Sequence, residues 1–289
     1  MKNAEEPKEL FDRGRRRRFR NRAFHRTQGT DFIGQIMSEE IFDRLSLVKR
    51  DFKNCLLMGQ AAHSLAPALE DIQIETVAAD AGFDSVAAIQ GIQCDEDRLP
   101  FADHSFDLVL NVGALDSVND LPGALALTRR ILKPDGLLLA SFIGAESFTT
   151  LKSLLMLAEG DVVAPHIHPQ IDIRTVGDLV SRVGLTLPVI DSNSLDLHYR
   201  EWDKLINDIR DMGGSNALNG VIRPLSRTVY ERAKELFYGQ ADAEGKITEH
   251  IELIYLCGWA PHPDQPVPAR RGSGQTSLKT VLNKPTTDS

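Results

Sequence analysis

Between Cys55 and Gly144, short apolar runs alternate with helical or loop segments: CLLMG, IETVAAD, AAIQGIQCD, FDLVLNVGAL and LLLASFIG. Strands alternating with helices bury both faces by forming a parallel sheet covered on either side, so an α/β fold is expected. The clearest helix precedes the last run, in DLPGALALTRRILKPDG. Asp120 is placed to cap it, Pro122 follows, basic residues gather at its C-terminal end, and Lys133 to Gly136 turn the chain into the next strand.

Around this centre, residues 36–49 read as an amphipathic helix with Ile36, Ile41, Leu45 and Val48 near one face. Beyond Gly144, SFTTLKSLLMLAE and IRTVGDLVSRVG read as helices, and LPVI and SLDLHY as two pieces of strand. REWDKLINDIRDMG and LSRTVYERAKELFY read as further helices, with HIELIYLCGWA as the last strand. The expected organisation is a basic helical arm and N-terminal helix over 1–50, a domain over 51–260 with a helical insertion at about 200–246, and a disordered Pro/Gly/Ser/Thr-rich tail over 261–289. Cys55, Cys94 and Cys257 follow no ligand spacing and read as buried reduced thiols.

Charge is unevenly placed. The segment RGRRRRFRNRAFHR, Arg13 to Arg26, carries eight arginines and no acid in a chain of net charge −8, which leaves −16 for the rest. An arm of this kind, with Phe11, Phe19, Ala23 and Phe24 among the arginines, is expected to form a helix that folds onto the acidic body, and not a nucleic-acid contact. No apolar run reaches the roughly 18 to 20 residues of a membrane helix. The charged N-terminus is unlike a secretory signal or an organelle transit peptide. The expectation is a cytoplasmic protein, with a peripheral place at the inner face of the respiratory membrane.

The stretch DEDRLPFADHSFDLVLNVGALDSVNDLPGALALTRRILKPDGLLLASF, Asp95 to Phe142, resembles the second half of the class I S-adenosylmethionine (SAM)-dependent methyltransferase fold. LFDRGRRRRFRNRA near the start, PHIHP at 165–169 and DMGGSNAL at 211–218 resemble the methyltransferase-like assembly factors of respiratory complex I, whose relatives include the malonyl-carrier-protein methyltransferase of biotin synthesis. The resemblance runs from about Leu10 to Ala260. It implies a Rossmann-like, doubly wound class I methyltransferase sheet, SAM as cofactor, and a protein partner that receives a methyl group or an arginine hydroxylation.

Carried over position by position, the family's acidic residue and three alternate glycines at the end of the first strand fall on Leu57, Gly59, Ala61 and His63. Three of the four have changed, which sets a SAM-dependent enzyme against a binding protein that keeps the fold without the cofactor. Asp80 stands where the family holds the ribose hydroxyls, and is otherwise a strand-end acid. Asp95 stands where the family accepts from the adenine amino group, with Glu96 and Asp97 beside it read as solvated. Asn111 and Gly113 close the fourth strand, where the family's reaction centre opens. Asp116-Ser117 replaces a frequent His-Trp pair, and no catalytic residue is identified. His166 and His168 lack further ligands at useful spacing, so no metal is expected. DMGGSN reads as a helix end and turn, and Tyr199, Trp202 and Tyr230 as core or as the wall of a groove.

Overall fold

The structure, a computed structural model, describes residues 9–28, 31–59, 62–160, 165–220 and 223–265, with backbone alone at 62 and 63. In chain order the elements are α1 (Arg13–Thr27), α2 (Phe32–Ser46), β1 (Asn54–Met58), α3 (Ala62–Asp71), β2 (Glu75–Asp80), α4 (Phe83–Ala87), β3 (Ile92–Gln93) and β4 (Phe106–Val112). After a 3-10 turn at Leu115–Ser117 come α5 (Leu121–Ile131), β5 (Leu132–Ile143), α6 (Thr149–Glu159), α7 (Ile173–Val183), β6 (Thr186–Tyr199), α8 (Trp202–Asp211), α9 (Arg227–Gly239) and β7 (Ile247–Trp259).

Seven strands form one sheet in the order β3-β2-β1-β4-β5-β7-β6. The first five run parallel, and β7 enters antiparallel between β5 and β6. β1 is apolar at four consecutive positions because both of its faces are covered. Cys55 and Leu57 join the core beneath α2, α3, α6, α8 and α9, while Leu56 and Met58 join the core beneath α5 and α7. The α/β expectation holds, and the helical insertion before the last strand is α8 and α9.

Three local readings change. Of AAIQGIQCD only Ile92 and Gln93 are strand, since Ala87 closes α4 and the Gly91 N–H returns to the Val86 carbonyl. LPVI and SLDLHY are one continuous strand, β6, on the sheet edge. Lys133 to Gly136 lie inside β5, with Asp135 at φ 64° and a register shift against β4. The helix before β5 is as read: the Asp120 side chain accepts from the Gly123 N–H and Arg129 and Arg130 close its last turn. The expected tail lies outside the described residues from 266 onward.

α2 starts earlier than its apolar pattern indicates because Asp31 caps it, accepting from the Gly34 N–H at 2.7 Å. Burial raises the Asp31 carboxyl to about 6 from 3.8, with the Gly34 bond acting the other way. The folded chain therefore binds this proton more tightly than the unfolded chain. The resulting stability is fully present below about pH 4 and is lost as pH rises through 6. Asp31→Asn keeps a capping oxygen and cannot ionise, so its stability relative to wild type should rise between pH 4 and pH 6 in urea titrations. A difference that stays constant over that interval would refute the assignment.

Candidate functional site

In a sheet of this order the chain leaves β1 in one direction and returns through β4 on the other side. The carboxyl ends of β1 and β4 therefore part at a switch point, where α/β folds hold ligands. Gly59 sits there at φ +96°, and a Cβ on it would lie 2.0 Å from the Val112 carbonyl oxygen. Only glycine lets the end of β1 pass β4 at this distance.

Three of the residues singled out from the sequence are brought to this edge. Asp80 ends β2, is 1% exposed and accepts from the Gly82 N–H at 2.6 Å. Asp95 follows β3 and is 2% exposed. Asn111 lies on β4 opposite Met58, with its amide group 3.9 Å from the Met58 sulfur. Leu57 is buried in the core, with no acceptor to offer. Ala61 and the His63 side chain lie outside the described residues.

What stands against these acids is α1, the expected helix on the acidic body. Arg20 donates to Asp80 Oδ2 at 3.1 Å and to the Gly113 carbonyl at 2.7 Å, so its guanidinium crosses from the end of β2 to the end of β4 over β1. Arg16 crosses in the same way, meeting both Glu96 oxygens at 2.9 and 2.7 Å, the Ala114 carbonyl at 2.8 Å and Ser117 Oγ at 3.0 Å. Arg17 reaches Asp95 Oδ2 at 2.5 Å, and Arg13 holds Asp97 through two bonds of 2.6 and 2.7 Å. Glu96 is 1% exposed, so Glu96 and Asp97 are ion-paired inside the molecule and not solvated. Burial works to raise the Asp97 carboxyl, but Arg13 brings it below the usual carboxylate range.

The same edge gathers groups that sequence spacing did not connect. His168 is 2% exposed, lies edge-on to Phe11 at 5.4 Å, and places Nε2 3.7 Å from Asp116 Oδ2. Burial raises the Asp116 pKa, while His168, Arg20 and Arg16 lower it, and the net shift is downward. His166 instead pairs with Glu159 at 2.7 Å. No group of three or more potential metal ligands occurs among the described residues. Trp202 is core, packed edge-on against Tyr230 and Phe237.

The DMGGSNAL segment holds the arm. The Asp12 N–H bonds the Ala217 carbonyl, the Asn219 N–H bonds the Leu10 carbonyl, and Phe11 bridges Leu218. Asp211 takes Arg26 at 2.5 Å, and Gly213, at φ +75°, faces Arg20 and Ala23. The three segments LFDR, PHIHP and DMGGSNAL thus meet around one helix.

Buried polar side chains that could hold a nucleoside are present. Asp95 Oδ1, Asn111 Oδ1, Ser141 Oγ and both His168 ring nitrogens are buried with no hydrogen-bond partner among the described residues. Native interiors leave few polar atoms in that state. The methionine end fits less well, since Leu57 supplies no carboxylate.

A family model described as a methyltransferase domain matches residues 55–140. The mitochondrial arginine-hydroxylase NDUFAF5 of Danio rerio is 29% identical over 285 residues, covering 93% of this chain and 88% of that protein. The Homo sapiens protein of the same name is 28% identical, covering 93% and 82%. The malonyl-[acyl-carrier protein] O-methyltransferase of Methylovorus sp. is 29% identical over 273 residues, covering 87% and 90%. Among solved structures, the YcgJ protein of Bacillus subtilis matches with a TM-score of 0.54 at 16% identity, covering 78% of this chain and 99% of that one. A phosphoethanolamine N-methyltransferase of Haemonchus contortus, solved with S-adenosylhomocysteine, matches at 0.50 and 14% identity, covering 86% and 61%. These two likenesses speak for the fold alone.

Proposed function

We propose, for a chain with a class I methyltransferase fold whose residues 55–140 match a methyltransferase-domain model, that the crevice at the ends of β1 and β4 binds SAM mainly by its nucleoside and that the protein acts on a protein partner. The observation that carries the reading is the pair of buried acids, Asp80 and Asp95, at the ends of neighbouring strands, with Asp95 Oδ1 lacking a hydrogen-bond partner. Asp80 would accept from the ribose hydroxyls and Asp95 Oδ1 from the adenine amino group. Gly59 lets the backbone come close, and Asn111 lines the end of β4. When bound, SAM supplies an electrophilic methyl group. The partner we put forward is a respiratory complex I subunit met during assembly, with arginine as the modified residue. Similarity to the two arginine-hydroxylases over more than four-fifths of their length supports this reading.

Calorimetric titration of the full chain tests the cofactor half. S-adenosylhomocysteine should bind, adenosine should displace it, and millimolar methionine should not, because the missing acceptor is at the methionine end. Displacement by methionine but not by adenosine would overturn the assignment of Asp80 and Asp95. Peptide mass mapping of complex I from cells lacking the chain tests the partner half: one arginine should lose its added mass, and an unchanged map would overturn it.

A second reading has its own observation. Arg20 and Arg16 span the crevice from side to side, as expected of a non-catalytic methyltransferase fold closed on itself. Absence of binding by any adenosine compound would favour it.

A further inference from the structure

Both sides of the crevice are held by one element. α1 sends Arg20 across from the carboxyl end of β2 to that of β4, Arg16 from Glu96 beyond β3 to Ala114 beyond β4, and Arg17 onto Asp95. The Asp80 carboxylate is engaged at both oxygens, by the Gly82 N–H and by Arg20, and the Arg20 guanidinium occupies the side of Oδ2 from which a ribose hydroxyl would approach. The Gly113 and Ala114 carbonyls are also taken.

The fit of α1 is nonetheless incomplete. Asp95 Oδ1, Asn111 Oδ1, Ser141 Oγ and both nitrogens of His168 stay without hydrogen bonds while the helix is docked, Arg16 standing 3.7 Å from Asp95 Oδ1. A crevice built only to hold α1 would have no use for these buried polar atoms.

We propose that α1 is an exchangeable occupant of the adenosyl crevice, its Arg16, Arg17 and Arg20 guanidiniums standing where the adenosine of a cofactor would bind, so that arm and cofactor exclude one another. This rests on the nucleoside assignment made above. Docking of the arm also lays Phe11 against His168, so departure of the arm uncovers the His168–Asp116 pair in the same movement. The arm is hooked at both ends, by Leu10 and Asp12 on 217–219 and by Arg26 on Asp211, and both hooks lie outside the crevice.

The test uses the full chain and S-adenosylhomocysteine as the probe. Calorimetry compares wild type, Arg17→Gln/Arg20→Gln, and the exposed control Arg18→Gln, with circular dichroism confirming the fold of each. Amide hydrogen exchange follows residues 13–27 of wild type with and without saturating probe. Exchange of arm for cofactor requires at least about tenfold tighter binding by the double variant, binding by the control equal to wild type, and faster amide exchange across 13–27 when the probe is present. Equal binding by all three folded proteins, or slower exchange across 13–27 with the probe, makes the arm a cover over the cofactor and overturns the inference while leaving the nucleoside assignment intact. No binding by any of them overturns the nucleoside assignment and the inference with it. If the double variant does not fold, the exchange measurement on wild type decides alone.

Discussion

Gly59→Ala is expected to cost about 4 kcal/mol or more and to lower the melting temperature by roughly 8–16 °C. Left-handed strain at φ +96° accounts for roughly 1–2 kcal/mol of this. The larger part is the new methyl group 2.0 Å from the Val112 carbonyl oxygen. That atom is main chain in a neighbouring strand, bonded into the ladder, and cannot swing aside as a side-chain tip can. The ends of β1 and β4 must separate, which also opens the crevice. Gly177→Ala in α7 is the control, because a Cβ there meets nothing within 4 Å and alanine is the better helix former. Thermal denaturation of the two variants side by side should give a large fall for one and none for the other. Equal melting temperatures would mean that β1 and β4 do not approach as described.

The second large effect is expected at Arg16. Arg16→Met keeps the apolar stem and removes the guanidinium, which leaves Glu96 buried without its ion-pair partner; breaking such a pair costs about 3–5 kcal/mol. Ser117 Oγ and the Ala114 carbonyl lose a donor at the same time. Adding Glu96→Gln should recover much of the loss, since the uncompensated charge is the dominant cost. Urea denaturation of the wild type, both single variants and the double variant gives the coupling directly. A value within about 0.5 kcal/mol of additivity would show that the two residues act independently.

The parallel half of the sheet was legible because its strands are apolar and its helices carry ordinary punctuation, as at Asp120 and Pro122. β6 was not legible as one strand. Asp191-Ser192-Asn193 interrupts it with turn-forming types, yet on a sheet edge such residues face solvent while the ladder to β7 continues through them. Asp80 and Asp95 could be placed from register and spacing. Their partners could not, because a reading by apolar periodicity puts arginine outside. The inward face of α1 is made of Arg16, Arg20 and Ala23, a polar stripe at helical spacing, and the acid run CDEDR was its only counterpart signal. His168 was read only as a histidine without further ligands, and its approach to Asp116, 52 residues earlier in the chain, is a product of the tertiary fold.

The placement of α1 also fixes an order of events in time. Arg13 and Arg17, Arg16 and Arg20, Arg18 and Arg22, and Arg22 and Arg26 repel at i,i+4 spacing, so this segment has little reason to coil before it docks. Its partners in the crevice lie 60 to 101 residues further along the chain. At ordinary translation rates of about 5–20 residues per second, they emerge roughly 3–20 s later. Throughout that interval a nascent chain trails eight arginines near ribosomal RNA, with only Arg13 able to pair locally, to Glu9. A segment born before its partners is then among the last to find its native contacts.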